Sequence, residues 1–224
     1  MAGLFGFSAS SNEQMVASLR VEGFVKSPEV ERAFLETDRS FFCPPSQQSE
    51  AFHDHPLPIV AGQTISAPSI VAIMTELLMP LAGKKILEVG LGSGYQAAIL
   101  SKLAGPKGRV FSVERVPEVF DYGRNKLATL KIKNVETICA DGSKGLVREA
   151  QFDRILVTAA APSVPRPLLE QLAPNGKLAI PVSSFAFGQD LVLLEKDFFG
   201  QVSRKSVLPV IFVPLVGEHG FSKS

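Results

Sequence analysis

The stretch "AGQTISAP", residues 61–68, sets one amide and two hydroxyls, Gln63, Thr64 and Ser66, immediately ahead of a run that turns apolar. Such groups donate hydrogen bonds and orient a ligand, and they are poor proton acceptors near neutral pH. Farther along lies Glu88-Val89-Gly90-Leu91-Gly92-Ser93-Gly94-Tyr95. The glycines Gly90, Gly92 and Gly94 let backbone lie against a bulky cofactor without a Cβ clash. The helix N-terminus after them, with Ser93 in the turn, can hold an anionic group. Glu88 could balance an ammonium or order water beneath such a ligand. Glu114, with Arg115 beside it, ends the next strand-like run, where a carboxylate can accept both hydroxyls of a ribose. Asp141 ends the third, placed to accept from an adenine amino group while Gly142 lets the ring approach. Acids at three successive strand ends point to an adenosine-containing ligand.

These residues need a scaffold, and an alternating pattern supplies it. Residues 84–89 ("KKILEV") read as a buried strand, "YQAAILSKLA" as a helix, "GRVFSVE" as a strand and "PEVFDYGRNKLATL" as a helix. The series continues, strand and helix by turns, through "NVETICA", "SKGLVREA", "FDRILVTAA", "VPRPLLEQL" and "GKLAIPV". Such βα repeats argue for an α/β fold with a doubly wound, mostly parallel sheet and helices on both faces. Its ligand crevice should lie outside the strand C-termini, where strand order reverses. The later runs "DLVLLEK" and "SVLPVIFVPL" have no helix between them and should pair antiparallel at one edge. Ahead of the core, Ser27-Pro28 and "EVERAFLE" carry the hydroxyl cap, first-turn proline and early acids of a helix start. Ile70, Val71, Ile73, Met74, Leu77 and Leu78 mark a second helix. Between them, residues 38–67 lose all periodicity, and a loop of that length inside a compact domain usually carries function. One domain, residues 1–224, is expected. It divides into N-terminal helices and substrate loop (1–80), βα core (81–182) and C-terminal strands (183–224).

Composition narrows the partners. Among 224 residues, 23 are basic and 22 acidic, for a formal charge of +1, so no nucleic-acid partner is expected. The longest apolar runs reach about half of the ~20 residues a membrane-spanning helix needs. The opening "MAGLFGFSASSNEQ" lacks the basic and apolar regions of a secretory leader. Cys43 and Cys139 stand far apart in unlike contexts, so both are expected as packing residues in a reducing cytoplasm. His53-Asp54-His55 could turn alternate residues toward one ion, but no further Cys or His cluster supports it, and no metal is expected.

The glycine turn has the pattern acid-x-G-x-G-x-G, with Tyr95 where a dinucleotide fingerprint wants a small residue, and it resembles motif I of S-adenosylmethionine-dependent methyltransferases. The likeness becomes specific in "DHPLPIVAGQTISAPSIVAIMTELL", which resembles the signature region of protein-L-isoaspartate O-methyltransferases. It extends over "VERAFLETDRSFFCP", "LEVGLGSGYQAAILSKLAG", "ADGSKGL", "FDRILVTAAAPSVPRPLLEQLAPNGKLAIPV" and "VIFVPLVG". The resemblance implies a Rossmann-like methyltransferase fold. It implies transfer of a methyl group from S-adenosylmethionine to the α-carboxylate of isoaspartyl residues in damaged proteins and peptides, with S-adenosylhomocysteine as product. Apart from the resemblance, charge and apolar-run length leave no nucleic-acid or membrane partner expected; a monomer is expected, though a dimer is possible. The family's catalytic serine falls on Ser66. Thr64, Ile65, Asp54, Ala159 and Ala160 fall with the substrate, and Asp54 can alternatively fix the loop. Glu88, Gly90, Gly92, Ser93, Gly94, Glu114, Arg115, Asp141 and Gly142 fall with the cofactor. Val60, Leu91 and Ser69 depart from residues usual in the family. Against this stand three alternatives: a methyltransferase for a small molecule or RNA, a nucleotide-dependent dehydrogenase, and a non-catalytic adenosyl-binding module. Ser66 itself has a second reading, as the cap of the adjoining helix.

Overall fold

A computed structural model describes residues 6–184 and 188–222. The first five residues of the N-terminal stretch, tested as a secretory leader, therefore lie outside the described residues. Two helices come first, α1 (Asn12–Val21) and α2 (Pro28–Leu35). Ser11 caps α1 by accepting from the Gln14 N–H, and Pro28 opens α2, where a missing N–H costs little. Ser27, expected as a hydroxyl cap, instead donates its hydroxyl to Glu76, which also accepts the backbone N–H groups of Lys26 and Ser27.

Residues 38–67 form an organised loop. Two 3-10 turns (Arg39–Phe42 and Pro45–Glu50) lead to a short ribbon in which β1 (Leu57–Pro58) pairs antiparallel with β2 (Thr64–Ile65). Arg39 is fully buried and braces it, donating to the carbonyls of Ala51, His55 and Ser66. Three carbonyls around one guanidinium recover part of the cost of burying the charge.

The loop runs into α3 (Pro68–Leu78) and then the alternating core. That core contains β3 (Lys85–Val89), α4 (Tyr95–Ala104), β4 (Arg109–Glu114), α5 (Pro117–Thr129), β5 (Val135–Cys139), β6 (Phe152–Val157), α6 (Arg166–Glu170), β7 (Leu172–Ser184), β8 (Gly188–Lys196) and β9 (Val202–Val210). Spatial order is β5-β4-β3-β6-β7-β8-β9, parallel from β5 to β7, with β8 running antiparallel between β7 and β9. Order reverses beside β3, which opens the crevice at its C-terminal end.

Strand periodicity divides the core. Ile86, Val110, Leu156, Ala179 and Leu191 pack toward the side of α1 to α5, whereas Leu87, Val89, Phe111, Ile155 and Leu178 pack with Leu168 of α6 and Leu215. Helices do cover both faces, but five to one. The reason is local: "SKGLVREA", expected as a helix, forms only the 3-10 turns Gly142–Lys144 and Val147–Glu149, separated by Gly145 at φ 66°. A second correction concerns "SVLPVIFVPL". Its strand ends at Val210, and residues 211–216 leave the sheet to cross the crevice. They are held by hydrogen bonds from Ala160 N–H to the Val213 carbonyl (2.8 Å) and from Leu215 N–H to the Ala160 carbonyl (2.7 Å). Cys139, expected in packing, is exposed, while Cys43 is buried. Among the described residues no helix is long and apolar enough to cross a membrane.

Candidate functional site

Two cavities meet at the reversal point. One is lined by Thr64, Ile65, Ser66, Ser93, Gln96 and Phe212 among others; the second by Glu114, Arg115, Val116, Gly142, Ala159 and Leu215 among others. Thr64, Gly90, Gly92, Thr158 and Val213 line both. The acceptor loop and the glycine turn thus enclose one continuous crevice.

The turn is built for close approach. Gly90 has φ 104°, and a Cβ there would lie 2.2 Å from Thr158 Oγ1, which donates to the Gly90 carbonyl at 2.9 Å. A Cβ on Gly142 would meet Val89 Cγ1 at 2.5 Å. Gly94 precedes α4 and packs against Gly123 and Leu127 of α5, outside both cavity walls.

The three acids separate. Glu114 sits in the wall of the second cavity, one oxygen accepting from Gly92 N–H (3.2 Å) and the other from Arg115 and Val116 N–H (2.9 and 3.0 Å). A carboxylate offers about four lone-pair sites, so acceptor capacity remains. Glu88 is fully buried beneath the turn, accepts from Ser112 Oγ, and lines neither cavity. Burial pushes its carboxyl up to about 8; the Ser112 hydroxyl opposes that rise and Glu114 adds to it. Glu88 is therefore mostly protonated at pH 7. Asp141 accepts from Ser143 N–H and Oγ through one oxygen and from Glu218 N–H through the other (2.9, 2.7 and 2.9 Å). Burial alone would raise its pKa, but the bonds from Ser143 and Glu218 and the nearby Lys144 charge hold it below the ordinary carboxylate value. Asp141 also fastens the C-terminal segment, with Lys144 paired to Glu218 and His219 N–H donating to Ser143 Oγ.

On the acceptor side Ser66 is half-buried, and among the described residues its hydroxyl has no hydrogen-bond partner. It does not cap α3, whose cap position is Ala67 with no side-chain bond. Asp54 performs that task from across the loop, its Oδ1 accepting from Ser69 N–H at 2.9 Å; at 9% exposure it lines neither cavity. The helix-capping reading therefore belongs to Asp54. Ser93 lines the first cavity and accepts from Tyr95 N–H. Ala159 reaches the crevice, but Ala160 is buried and spends its backbone on residues 213–215. Sequence reasoning assigned no site role to residues 210–216. Their apolar, proline-containing run reads as an edge strand, and nothing local reports that it turns over the crevice.

Among the described residues lining the first cavity there is no Asp, Glu, Lys, Arg, His or Cys. Tyr95 is the one titratable residue among them, and burial raises that phenol above its already high ordinary value.

Residues 10–220 match the sequence profile of the protein-L-isoaspartate(D-aspartate) O-methyltransferase family. The chain belongs to that family. It is 49% identical to a protein-L-isoaspartate O-methyltransferase of Methanopyrus kandleri, over 95% of this chain and 94% of the relative. The Pyrococcus horikoshii enzyme of the same name is 46% identical over 93% and 94%. Among solved structures it superimposes, with TM-score 0.80 and 26% identity, on a crystal structure from Plasmodium falciparum. That structure is described as a candidate protein-L-isoaspartate O-methyltransferase in complex with S-adenosyl-L-homocysteine; the match covers 92% of this chain and 98% of that one.

Like the rest of the family this methyltransferase uses S-adenosylmethionine, and the second cavity fits that molecule. Gly90 and Gly142 keep backbone and strand flush where a Cβ would collide, Glu114 presents spare acceptor sites, and Val113, Val116 and Leu215 supply apolar wall.

Proposed function

We propose that this methyltransferase repairs damaged proteins and peptides by esterifying the α-carboxylate of L-isoaspartyl residues, with Ser66 as the catalytic hydroxyl. The observation that carries the reading is the acceptor cavity itself: hydroxyls, an amide and apolar walls, with no side chain able to act as general base near pH 7. Such a site can serve only an acceptor that arrives already ionised, as a carboxylate with pKa near ~4 does. When bound, S-adenosylmethionine supplies an electrophilic methyl group. Gly90, Gly92, Glu114, Arg115 and Gly142 would hold it, with Ser93 at the junction. The unpartnered Ser66 Oγ, with Thr64 beside it, donates to the acceptor carboxylate and fixes its approach, while Ile65 and the segment above exclude water. Orientation of this kind can contribute ~7–11 kcal/mol in favourable cases. We further read the enzyme as a cytoplasmic monomer without nucleic-acid or membrane partner, supported by its near-neutral charge and two free cysteines.

The decisive experiment incubates the protein with methyl-labelled S-adenosylmethionine and paired peptides carrying isoaspartyl or ordinary aspartyl. Base-labile labelled methanol should arise from the isoaspartyl peptide alone. Label in neither peptide overturns the reading, and cofactor binding without turnover would make the chain a binding module.

A further inference from the structure

The acceptor loop carries a second cluster on its outer side. Glu50 closes the turn Pro45–Glu50, His53 and His55 come next at alternate positions, and Asp54 between them is directed inward to α3. A single oxygen, Glu50 Oε2, is approached by two imidazoles, His53 Nδ1 at 2.9 Å and His55 Nε2 at 3.3 Å. The three atoms lie within 4.8 Å of one another, the one such grouping of His, Cys, Asp or Glu among the described residues. Ligand bonds of ~2.0–2.2 Å in a tetrahedral zinc site place the ligand atoms roughly 3.2–3.6 Å apart. Both Glu50 separations fall within a few tenths of an ångström of that range.

His55 sharpens the point. Its Nδ1 lies 3.2 Å from the Pro56 carbonyl, and its Nε2 faces the Glu50 carboxylate. A neutral imidazole carries one N–H, so either tautomer leaves one ring lone pair facing an oxygen. A second ring proton removes that conflict, and so does a cation held by Nε2 and Glu50, with Nδ1–H then donating to Pro56. That is the usual arrangement by which a backbone carbonyl orients a metal-bound histidine. The backbone is already restrained: His53 N–H donates to the Glu50 carbonyl, Asp54 N–H to Phe7, and Arg39 holds the carbonyls of Ala51 and His55. The side chains of Glu50, His53 and His55 are 46%, 29% and 44% exposed, which leaves an entry path and room for water as a fourth ligand.

We propose that Glu50, His53 and His55 form a site for a divalent transition-metal ion, zinc in the first instance, on the outer face of the acceptor loop. Two imidazoles and one carboxylate suit zinc, copper(II) or nickel over magnesium or calcium. The ion would join the turn Pro45–Glu50 to residues 53–55, whose inner side carries Asp54 and the Arg39 brace that reaches Ser66. Its role is therefore to stiffen the loop rather than to take part in methyl transfer.

Calorimetric titration of the full chain with zinc chloride tests this. In a Cys139→Ser background, which removes the exposed thiol, one ion should bind with micromolar or tighter affinity. Glu50→Gln and His53→Ala should each weaken binding at least tenfold, and His219→Ala, altering the remaining histidine, should not change it. Zinc should raise the melting temperature of the parent but not of Glu50→Gln, whose metal-free melting curve serves as the folding control. No saturable binding, or equal affinity in parent and His53→Ala, would overturn the site.

Discussion

Ser66, Asp54 and Glu88 show how far a residue's type predicts its work. Serine beside a helix start reads as ligand donor or as helix cap, and the structure gives the capping bond to Asp54. Ser66→Ala should therefore leave the fold intact. It should lower turnover roughly 10- to 100-fold, the scale of a misoriented reactant, with about unchanged cofactor affinity. Steady-state kinetics with calorimetry reads this, and equal loss of both would make Ser66 structural. Asp54→Ala should cost about 1 kcal/mol as a lost cap, or ~2–4 °C in Tm for a chain of this size. Asp54→Asn, which keeps an acceptor, should recover most of it. Glu88 is a pH-dependent element of stability: its carboxyl titrates near 8 when folded against 4.5 in the open chain. Between those values the folded state keeps a proton that the unfolded state has released, so rising pH favours unfolding. Glu88→Gln cannot release that proton, and melting curves from pH 5 to 8 should show a smaller decline than in the parent.

At the scale of elements, the sequence was legible wherever one periodicity ran long enough. "YQAAILSKLA" reads as a helix and is one with the same bounds, because Gly94 and Gly105 delimit a ten-residue run of good helix formers, although burial of nine of them leaves no polar face. "SKGLVREA" failed for the opposite reason: it is short, and Gly145 with positive φ divides it into two 3-10 turns. The glycine turn was legible as a tight strand-to-helix connection, and its glycines meet different neighbours, since Gly94 packs against α5 while Gly90 lies against Thr158. Gly90→Ala combines a Cβ 2.2 Å from Thr158 Oγ1 with a φ that alanine rarely adopts. Backbone strain of this kind is worth ~1–3 kcal/mol. Cofactor affinity should fall at least tenfold by calorimetry, and an unchanged Kd would remove Gly90 from the cradle.

The whole molecule adds a strap that no single element announces. Residues 213–216 close one wall of the cofactor cavity, and Glu218 and His219 just beyond them are tied down by Asp141, Ser143 and Lys144. Ending the chain after Val216 removes those ties, together with the Phe221 N–H bond to the Leu215 carbonyl, while leaving every residue of the wall in the chain. Cofactor dissociation, measured by stopped flow, should accelerate severalfold, with a smaller effect on turnover at saturation; an unaltered off-rate would show that the wall stands alone. The sequence by itself determined the alternating core, the glycine turn, the crevice at the strand ends and the hydroxyl loop, because each is written in residues close together along the chain. Only the tertiary structure decided that Asp54 caps α3, that Glu88 lies buried and protonated while Glu114 faces the crevice, and that residues 211–216 leave the sheet. Those outcomes depend on partners brought close by folding, from Ser69 and Ser112 to Ala160 and Glu218, and burial and hydrogen bonding at that range leave no periodic mark in the sequence.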